Sequence, residues 1–251
     1  MLRTTTRVSH SKSIVLTKEP SEPMAPPKLS KDPMKFVMLP ANARKRHPLV
    51  EKRLEDLSLF AETFTGNRIE WGDNKIGIIT SGISYQYAKE ALPEASFLKL
   101  GMVFPLPKEL IRSFASRLEK LFVVEELDPF IEEQVRAMGI EATGKAAFPL
   151  CGELTPALVA KGLKGFAPPP VEEISKTLPA RPPILCPGCP HRGIFSILSK
   201  LKLFVTGDIG CYTLGFLPPL SAIDTCVCMG ASIGHAMGLD KALGEEALRQ
   251  E

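Results

Sequence analysis

A chain of 251 residues, 44% of them apolar and 24% charged, has the make-up of a folded protein with room for one large domain or two modest ones. Its formal net charge of +3, with no basic stripe interleaved by aromatic residues, argues against nucleic acid as a partner. No apolar run approaches the roughly 20 residues that cross a bilayer, and Met1–Lys18 lacks the apolar core of a secretory signal, so the expectation is a cytoplasmic protein with no membrane role.

Taken in chain order, Lys18–Pro33 carries five prolines among Ser, Lys and Glu, a composition that prevents helix and sheet and predicts a linker. The short stretch before it, Met1–Ser9, is too small to be a domain, which predicts that something upstream is missing. Arg44, Lys45, Arg46 and His47 read as a solvated basic surface. From Pro48 to Phe64, Leu49, Val50, Leu54, Leu57 and Phe60 recur at helical spacing and predict an amphipathic helix. Lys75–Ser81 predicts a buried strand, broken by Gly82 and followed by a helix over Ile83–Leu92 that Pro93 stops. The alternation continues with a strand at Phe97–Leu100, a helix at Pro107–Leu118 and a strand at Leu121–Glu125. Asp128 and Pro129 are read as N-cap and first residue of a helix over Phe130–Met138, and the carboxylates of Glu125, Glu126 and Asp128 are assigned a structural, capping role before a cleft-lining one.

Strands alternating with helices of about ten residues predict right-handed βαβ units and a parallel sheet covered by helices, an α/β domain over about 34–150. A second proline cluster, Pro168, Pro169 and Pro170 with Pro179, Pro182 and Pro183, marks the expected boundary. Beyond it the pattern predicts a helix over Gly193–Lys200, a strand over Leu203–Thr206 and a helix over Gly230–Leu243. About 65 residues with one or two strands cannot close a sheet around their own core, so this part is expected to be only the opening of a second α/β domain, and the chain to be truncated at both ends.

Five of the six cysteines crowd between Cys186 and Cys228, an odd disulfide framework for an α/β chain, so free thiols or metal ligands are expected; Cys151 is read as a small apolar residue. Cys186-Pro-Gly-Cys189 spaces two thiols for one metal. Four readings of this turn stay open: a structural zinc, a thioredoxin-like redox pair, a [4Fe–4S] cluster on Cys186, Cys189 and Cys211 with a fourth ligand from elsewhere, and thiols that merely pack. His191, directly after the turn, is the better histidine for a site, whereas His235 reads as a packed residue. Gly207-Asp208-Ile209-Gly210-Cys211 follows a β-branched strand and so falls where α/β sheets bind ligands. Gly230, Gly234 and Gly238 recur at four-residue spacing, which suits either close helix packing or phosphate binding at a helix start.

Three long motifs, Leu185-Cys-Pro-Gly-Cys-Pro-His-Arg-Gly193, Val205-Thr-Gly-Asp-Ile-Gly-Cys-Tyr-Thr-Leu-Gly215 and Asp224-Thr-Cys-Val-Cys-Met-Gly-Ala-Ser-Ile-Gly234, resemble the large (α) subunit of indolepyruvate ferredoxin oxidoreductases, within the thiamine diphosphate-dependent 2-oxoacid:ferredoxin oxidoreductase family. Upstream, Thr5–Ser11, Phe36–Arg44, Ile76–Gly82, Leu98–Gly101 and Val123–Leu127 resemble it in the same order. Such enzymes decarboxylate an arylpyruvate on thiamine diphosphate with Mg2+, pass electrons through [4Fe–4S] clusters to ferredoxin, and transfer the acyl group to coenzyme A; a small β subunit is the implied partner.

The resemblance implies a remnant of the pyrimidine-binding domain with a linker over 1–33, a transketolase C-terminal-like three-layer α/β domain over 34–150, a linker over 151–181, and the truncated start of the thiamine diphosphate-binding α/β domain over 182–251. It implies that His191, Gly207, Asp208, Ile209, Gly210, Cys211, Gly230, Ala231, Ser232 and Ile233 line the cofactor pocket, and that Cys186, Cys189 and Cys211 are candidate cluster ligands. The family's later magnesium motif and C-terminal ferredoxin-like cysteine repeats have no counterpart in these residues, so the chain alone is expected to be inactive. The competing readings are a non-catalytic zinc or iron–sulfur interaction module, and an oxidoreductase for another 2-oxoacid.

Overall fold

A computed structural model describes residues 4–9, 11–17, 30–165 and 183–244, which fall into two compact units, Met1–Val171 and Glu172–Glu251. Most of the linker expected at Lys18–Pro33, and all of the second proline cluster except Pro183, lie outside the described residues. No helix among the described residues is long and apolar enough to cross a membrane.

In the first unit, the short helical turns α1 (Thr6–Ser9) and α2 (Pro33–Phe36) precede the long helix α3 (Pro40–Thr63). α3 starts eight residues before the expected Pro48, because Pro40 already occupies its first turn. Pro48 then sits inside the helix, where it lacks the amide that would bond to the carbonyl of Arg44. Both residues are exposed, so water can serve that carbonyl, and the basic run Arg44–His47 lies on the helix rather than before it.

The sheet that follows has strand order β1-β3-β2-β4, with β1 at Arg68–Glu70, β2 at Asp73–Ser81, β3 at Ala95–Leu100 and β4 at Lys120–Val124. β2 pairs parallel with both β3 and β4, as the alternating pattern predicts. β1 corrects the expectation of a wholly parallel sheet: it is antiparallel to β3, a three-residue edge strand too short to stand out in sequence. Its Glu70 accepts hydrogen bonds from Arg68 and from the Tyr85 hydroxyl, contacts that draw its carboxyl down to about 2.

Pleating sends successive residues to opposite faces. Ile78, Phe97 and Val124 join Tyr85 and Ala88 of α4 (Gly82–Ala91) and Val159 of α7 (Pro156–Lys164) on one face; Ile79, Leu98 and Val123 join Ile111 and Phe114 of α5 (Lys108–Ala115) and Ile131 and Val135 of α6 (Phe130–Ala137) on the other. Each side chain of this size contributes about 1.5–3 kcal/mol when fully buried, so two filled faces give the unit a substantial core. Gly77 is required by that packing, since a Cβ there would come within 2.1 Å of the Leu118 side chain. α7 forms inside the stretch expected to be linker, with Thr155 capping the Leu158 amide and Gly165 ending it in the left-handed region. Cys151 is exposed rather than packed.

The start of α6 also differs from the expected Asp128 cap. Glu125, 5% exposed at the end of β4, turns its carboxylate back onto the amides of Ile131 (2.9 Å) and Glu132 (2.9 Å), doing from six residues upstream what a local cap does elsewhere. The structural reading holds for Glu125, which takes the capping position, and for Glu126, whose carboxylate accepts from the Leu154 amide.

The second unit is much smaller. α8 (His191–Leu201) and a 3-10 turn at Cys211–Phe216 pack around Leu185, Phe195, Ala222 and Ile223, beside a parallel pair of two-residue strands, β5 (Thr206–Gly207) and β6 (Thr225–Cys226). The expected strand Leu203–Thr206 joins the ladder with β6 only from Thr206, while the Val205 carbonyl accepts from the Asp224 and Thr225 amides and Leu203 sits in an isolated bridge. α9 (Ser232–Leu243) follows and buries none of its residues, leaving Ile233, Met237 and Leu243 exposed. Gly230 and Ala231, expected inside this helix, form the turn before it.

Replacing Glu125 with Ala leaves the Ile131 and Glu132 amides in a buried site without that acceptor and should destabilise the first unit by about 2–3 kcal/mol. Urea unfolding followed by Trp71, the single tryptophan, whose ring lies 5.4 Å from that of Phe114, measures the loss; an unchanged midpoint would contradict the capping role.

Candidate functional site

Two parallel strands end side by side in the second unit, with Gly207 opposite Cys226, and the loops that leave them define the candidate site. Crevices at the carboxyl ends of parallel strands are where open α/β sheets bind ligands. The first loop turns at Gly210 (φ 120°, ψ −146°), a conformation open to glycine alone among the common residues, before entering the 3-10 turn at Cys211. The second loop turns at Gly230 (φ 82°) and delivers the chain into α9.

Asp208 ties the two loops together. Its Oδ1 accepts from the amides of Ile209 (2.8 Å) and Gly230 (2.8 Å), and its Oδ2 accepts from the Ser232 hydroxyl (2.9 Å). The Gly230 amide above all, then the Ser232 hydroxyl, hold the carboxyl below the ordinary aspartate value by favouring its ionised form. Thr213 donates to the Asp208 carbonyl (3.0 Å) and Thr206 to the Ser232 carbonyl (3.0 Å), so both ends of the bridge are braced. His235 lies within 3.2 Å of the Thr225 hydroxyl through Nδ1, in agreement with its expected packing role.

The expected site residues therefore gather in two places. Gly207, Asp208, Ile209 and Gly210 meet Gly230, Ala231, Ser232 and Ile233 at the start of α9. The amides of Ser232, Ile233 and Gly234 open that helix and have no preceding turn to bond with, while Ile233 is 75% exposed. The Ser232 hydroxyl and amide already serve Asp208, and the amides left at the positive end of the helix, those of Ile233 and Gly234, suit a phosphate or another small anion.

The second place is built around His191 at the start of α8, whose ring lies 4.7 Å from that of Tyr212 and 6.0 Å from that of Phe195, with Cys211 next to Tyr212 and exposed. Tyr212, Thr206 and Thr213 belong to the site although the sequence reading did not single them out. Their signal was weak: hydroxyl residues beside glycines, whose partners lie from five to twenty-six residues away.

Cys186, Cys189 and Cys211 are not drawn into one ligand set. Among the described residues no group of three or more His, Cys, Asp or Glu side chains is placed to hold a metal ion.

No protein-family model matches the chain. Curated relatives match it along its length: the indolepyruvate oxidoreductase subunit IorA of Thermococcus kodakarensis is 40% identical over an alignment 282 positions long, gaps included, covering 100% of this chain and 44% of the relative. The protein of the same name from Archaeoglobus fulgidus is 37% identical, covering 99% and 44%, and that from Pyrococcus horikoshii is 40% identical, covering 98% and 43%. The chain thus spans less than half the length of the relatives it matches. A solved 2-oxoglutarate:ferredoxin oxidoreductase from Magnetococcus marinus overlaps 51% of this chain and 23% of its own, at 21% identity and a TM-score of 0.40, too loose a superposition to assign the fold of either unit.

The Asp208 bridge is a pH-dependent contact with a fixed sign. Because the folded carboxyl lies below its ordinary 3.8, its contribution to stability is fully present above 3.8 and disappears as the pH falls through the lower folded value. In an acid titration followed by NMR, the Gly230 amide should shift with a midpoint below 3.8, and Asp208→Asn should abolish that titration and speed exchange of the amide. A midpoint at or above 3.8 would remove the bridge.

Proposed function

We propose that this chain, homologous along its whole length to part of the indolepyruvate oxidoreductase IorA subunits, contributes two units to an enzyme that oxidatively decarboxylates arylpyruvates such as indolepyruvate. Electrons pass to ferredoxin and the acyl group to coenzyme A, in company with a small β subunit. On this reading residues 34–150 are the transketolase C-terminal-like domain and residues 182–251 the opening part of a thiamine diphosphate-binding domain. The sequence relationship supports the family, and the layered α/β sheet of the first unit is compatible with the domain assignment.

One observation carries the site: the loops Gly207–Cys211 and Gly230–Ile233 leave adjacent parallel strands and meet at the start of α9. Thiamine diphosphate, when bound, supplies the carbanion chemistry by which a 2-oxoacid loses carbon dioxide. The part assigned to this chain is to hold and orient. Amides of Ile233 and Gly234 would hold the diphosphate at the positive end of α9. The tight left-handed turn at Gly230 lets the backbone approach closely, and Asp208 fixes the first loop against the helix so that the donors are in place before a ligand arrives. His191 and Tyr212 flank the other side of the first loop.

Among the described residues no group of three or more His, Cys, Asp or Glu side chains is placed to hold Mg2+ or an iron–sulfur cluster. Asp208 is held by hydrogen bonds from Ile209, Gly230 and Ser232, and Cys186, Cys189 and Cys211 are not gathered into one such group. Electron transfer and the metal therefore belong, in this proposal, to parts of the enzyme supplied with the remaining length of the relatives. The exposed Ile233 and Met237 of α9 are suited to packing against such parts.

The chain alone, given arylpyruvate, thiamine diphosphate, magnesium and coenzyme A, should reduce no viologen; measurable turnover would show that it holds all the essential groups. Titrating thiamine diphosphate should shift the amide resonances of Ile233 and Gly234, thiamine itself should leave them in place, and Ser232→Ala, which removes a hydroxyl that holds Asp208 against α9, should weaken the response several-fold. Shifts confined to other residues would move the diphosphate site elsewhere.

A further inference from the structure

We propose that the cavity between α2 and the start of α3 binds a small phosphate monoester carrying an apolar group, a site in the first unit independent of the thiamine reading of the second. The cavity, about 200 Å³, is lined by Asp32, Met34 and Lys35 from α2 and its cap, and by Asn42, Lys45, Arg46 and Leu49 from α3. The four α3 positions stand at i, i+3, i+4 and i+7, one face of a helix, so they form a continuous stripe. A single water needs about 10–15 Å³ of such space, and a group of several heavy atoms can therefore enter. Hydrogen bonds fix the corner that shapes it. The Asp32 carboxylate accepts from the Lys35 amide at 3.1 Å, and the Val37 carbonyl accepts from the Leu39 amide (3.0 Å) and from Nδ2 of Asn42 (2.9 Å). Asn42 is 8% exposed, and its Oδ1 and second Nδ2 hydrogen make no bond among the described residues. Polar atoms buried this deeply normally have partners.

Charge decides what the cavity takes. Among the described residues Lys35, Arg44, Lys45 and Arg46 form no ion pair. α3 has no acidic residue in its first turn, and its first carboxylate, Glu51, pairs with His47 at 3.4 Å. A helix start carries positive partial charge, so cations gathered there repel it and one another until an anion is bound. Against three cations the lining sets one carboxylate, that of Asp32, which already caps α2. A phosphate monoester carries about −1.5 to −2 charges at neutral pH and accepts several charge-assisted hydrogen bonds, which Lys35, Lys45, Arg46 and the uncommitted Nδ2 hydrogen of Asn42 can donate. Met34 and Leu49, 56% and 60% exposed, place apolar surface beside these donors, and the hydrocarbon part of the ester covers it.

The test titrates the full chain with phenyl phosphate and with inorganic phosphate at about 0.15 M salt, where screening over about 8 Å damps long-range attraction. The side-chain amide of Asn42 is followed by NMR. Phenyl phosphate should shift that resonance saturably and bind about fivefold tighter than inorganic phosphate, and Leu49→Ala should erase the difference. Lys45→Glu and Arg46→Glu should each weaken phenyl phosphate about tenfold, with circular dichroism confirming that helix content is kept. Arg44→Glu makes the same charge change beside the lining but outside it, and should alter affinity less than about twofold. No saturable shift, equal losses in Arg44→Glu and Arg46→Glu, an undiminished preference for phenyl phosphate in Leu49→Ala, or a response confined to Ile233 and Gly234 would each overturn the proposal.

Discussion

A carboxylate sent from the end of a parallel strand to the first amides of a helix is the interaction on which both units depend. Parallel strands send their connections out at one edge, and the helices that follow begin there with amide groups that no earlier turn can satisfy. In the first unit Glu125 leaves β4 and meets the amides of Ile131 and Glu132. In the second, Asp208 leaves β5 and meets the Gly230 amide and the Ser232 hydroxyl at the threshold of α9. The same electrostatic problem has received the same answer twice.

The two answers differ in burial, and that difference separates structure from function. Glu125 is sealed beneath packed side chains, so its removal costs folding free energy and offers nothing to a ligand. Asp208 is half-buried, and the amides that follow Gly230 open onto an exposed surface. There the Ser232 hydroxyl and amide serve Asp208, and the amides of Ile233 and Gly234 have no preceding turn to bond with. The first unit fills both faces of its sheet, whereas the second has a small core and a last helix that buries nothing.

Much of the first unit was legible because its signals are local. Buried runs such as Ile76–Thr80 and Phe97–Leu100, separated by helices with one apolar face, report the alternation of strand and helix directly. β1 was not legible, since three residues carry too little period to be seen and their antiparallel pairing is imposed by β3. The start of α3 was misplaced because two prolines, Pro40 and Pro48, both fit a first turn, and the helix begins at the earlier one and runs on through the later. The glycine loops of the second unit were recognised, but Tyr212, Thr206 and Thr213 were not, since their roles depend on partners that folding brings from elsewhere in the chain.

By itself the sequence determined the α/β class, the positions of the glycine turns and the presence of a Cys-Pro-Gly-Cys turn, all of which rest on residues adjacent in the chain or one helical turn apart. Only the tertiary structure decided that Asp208 faces Gly230 twenty-two residues away, that Glu125 rather than Asp128 caps α6, and that Cys211 is not drawn into one ligand set with Cys186 and Cys189. The physical reason is the same in each case: hydrogen bonds and ligand sets need side chains within about 3 Å of their partners, and separation along the chain does not fix separation in space.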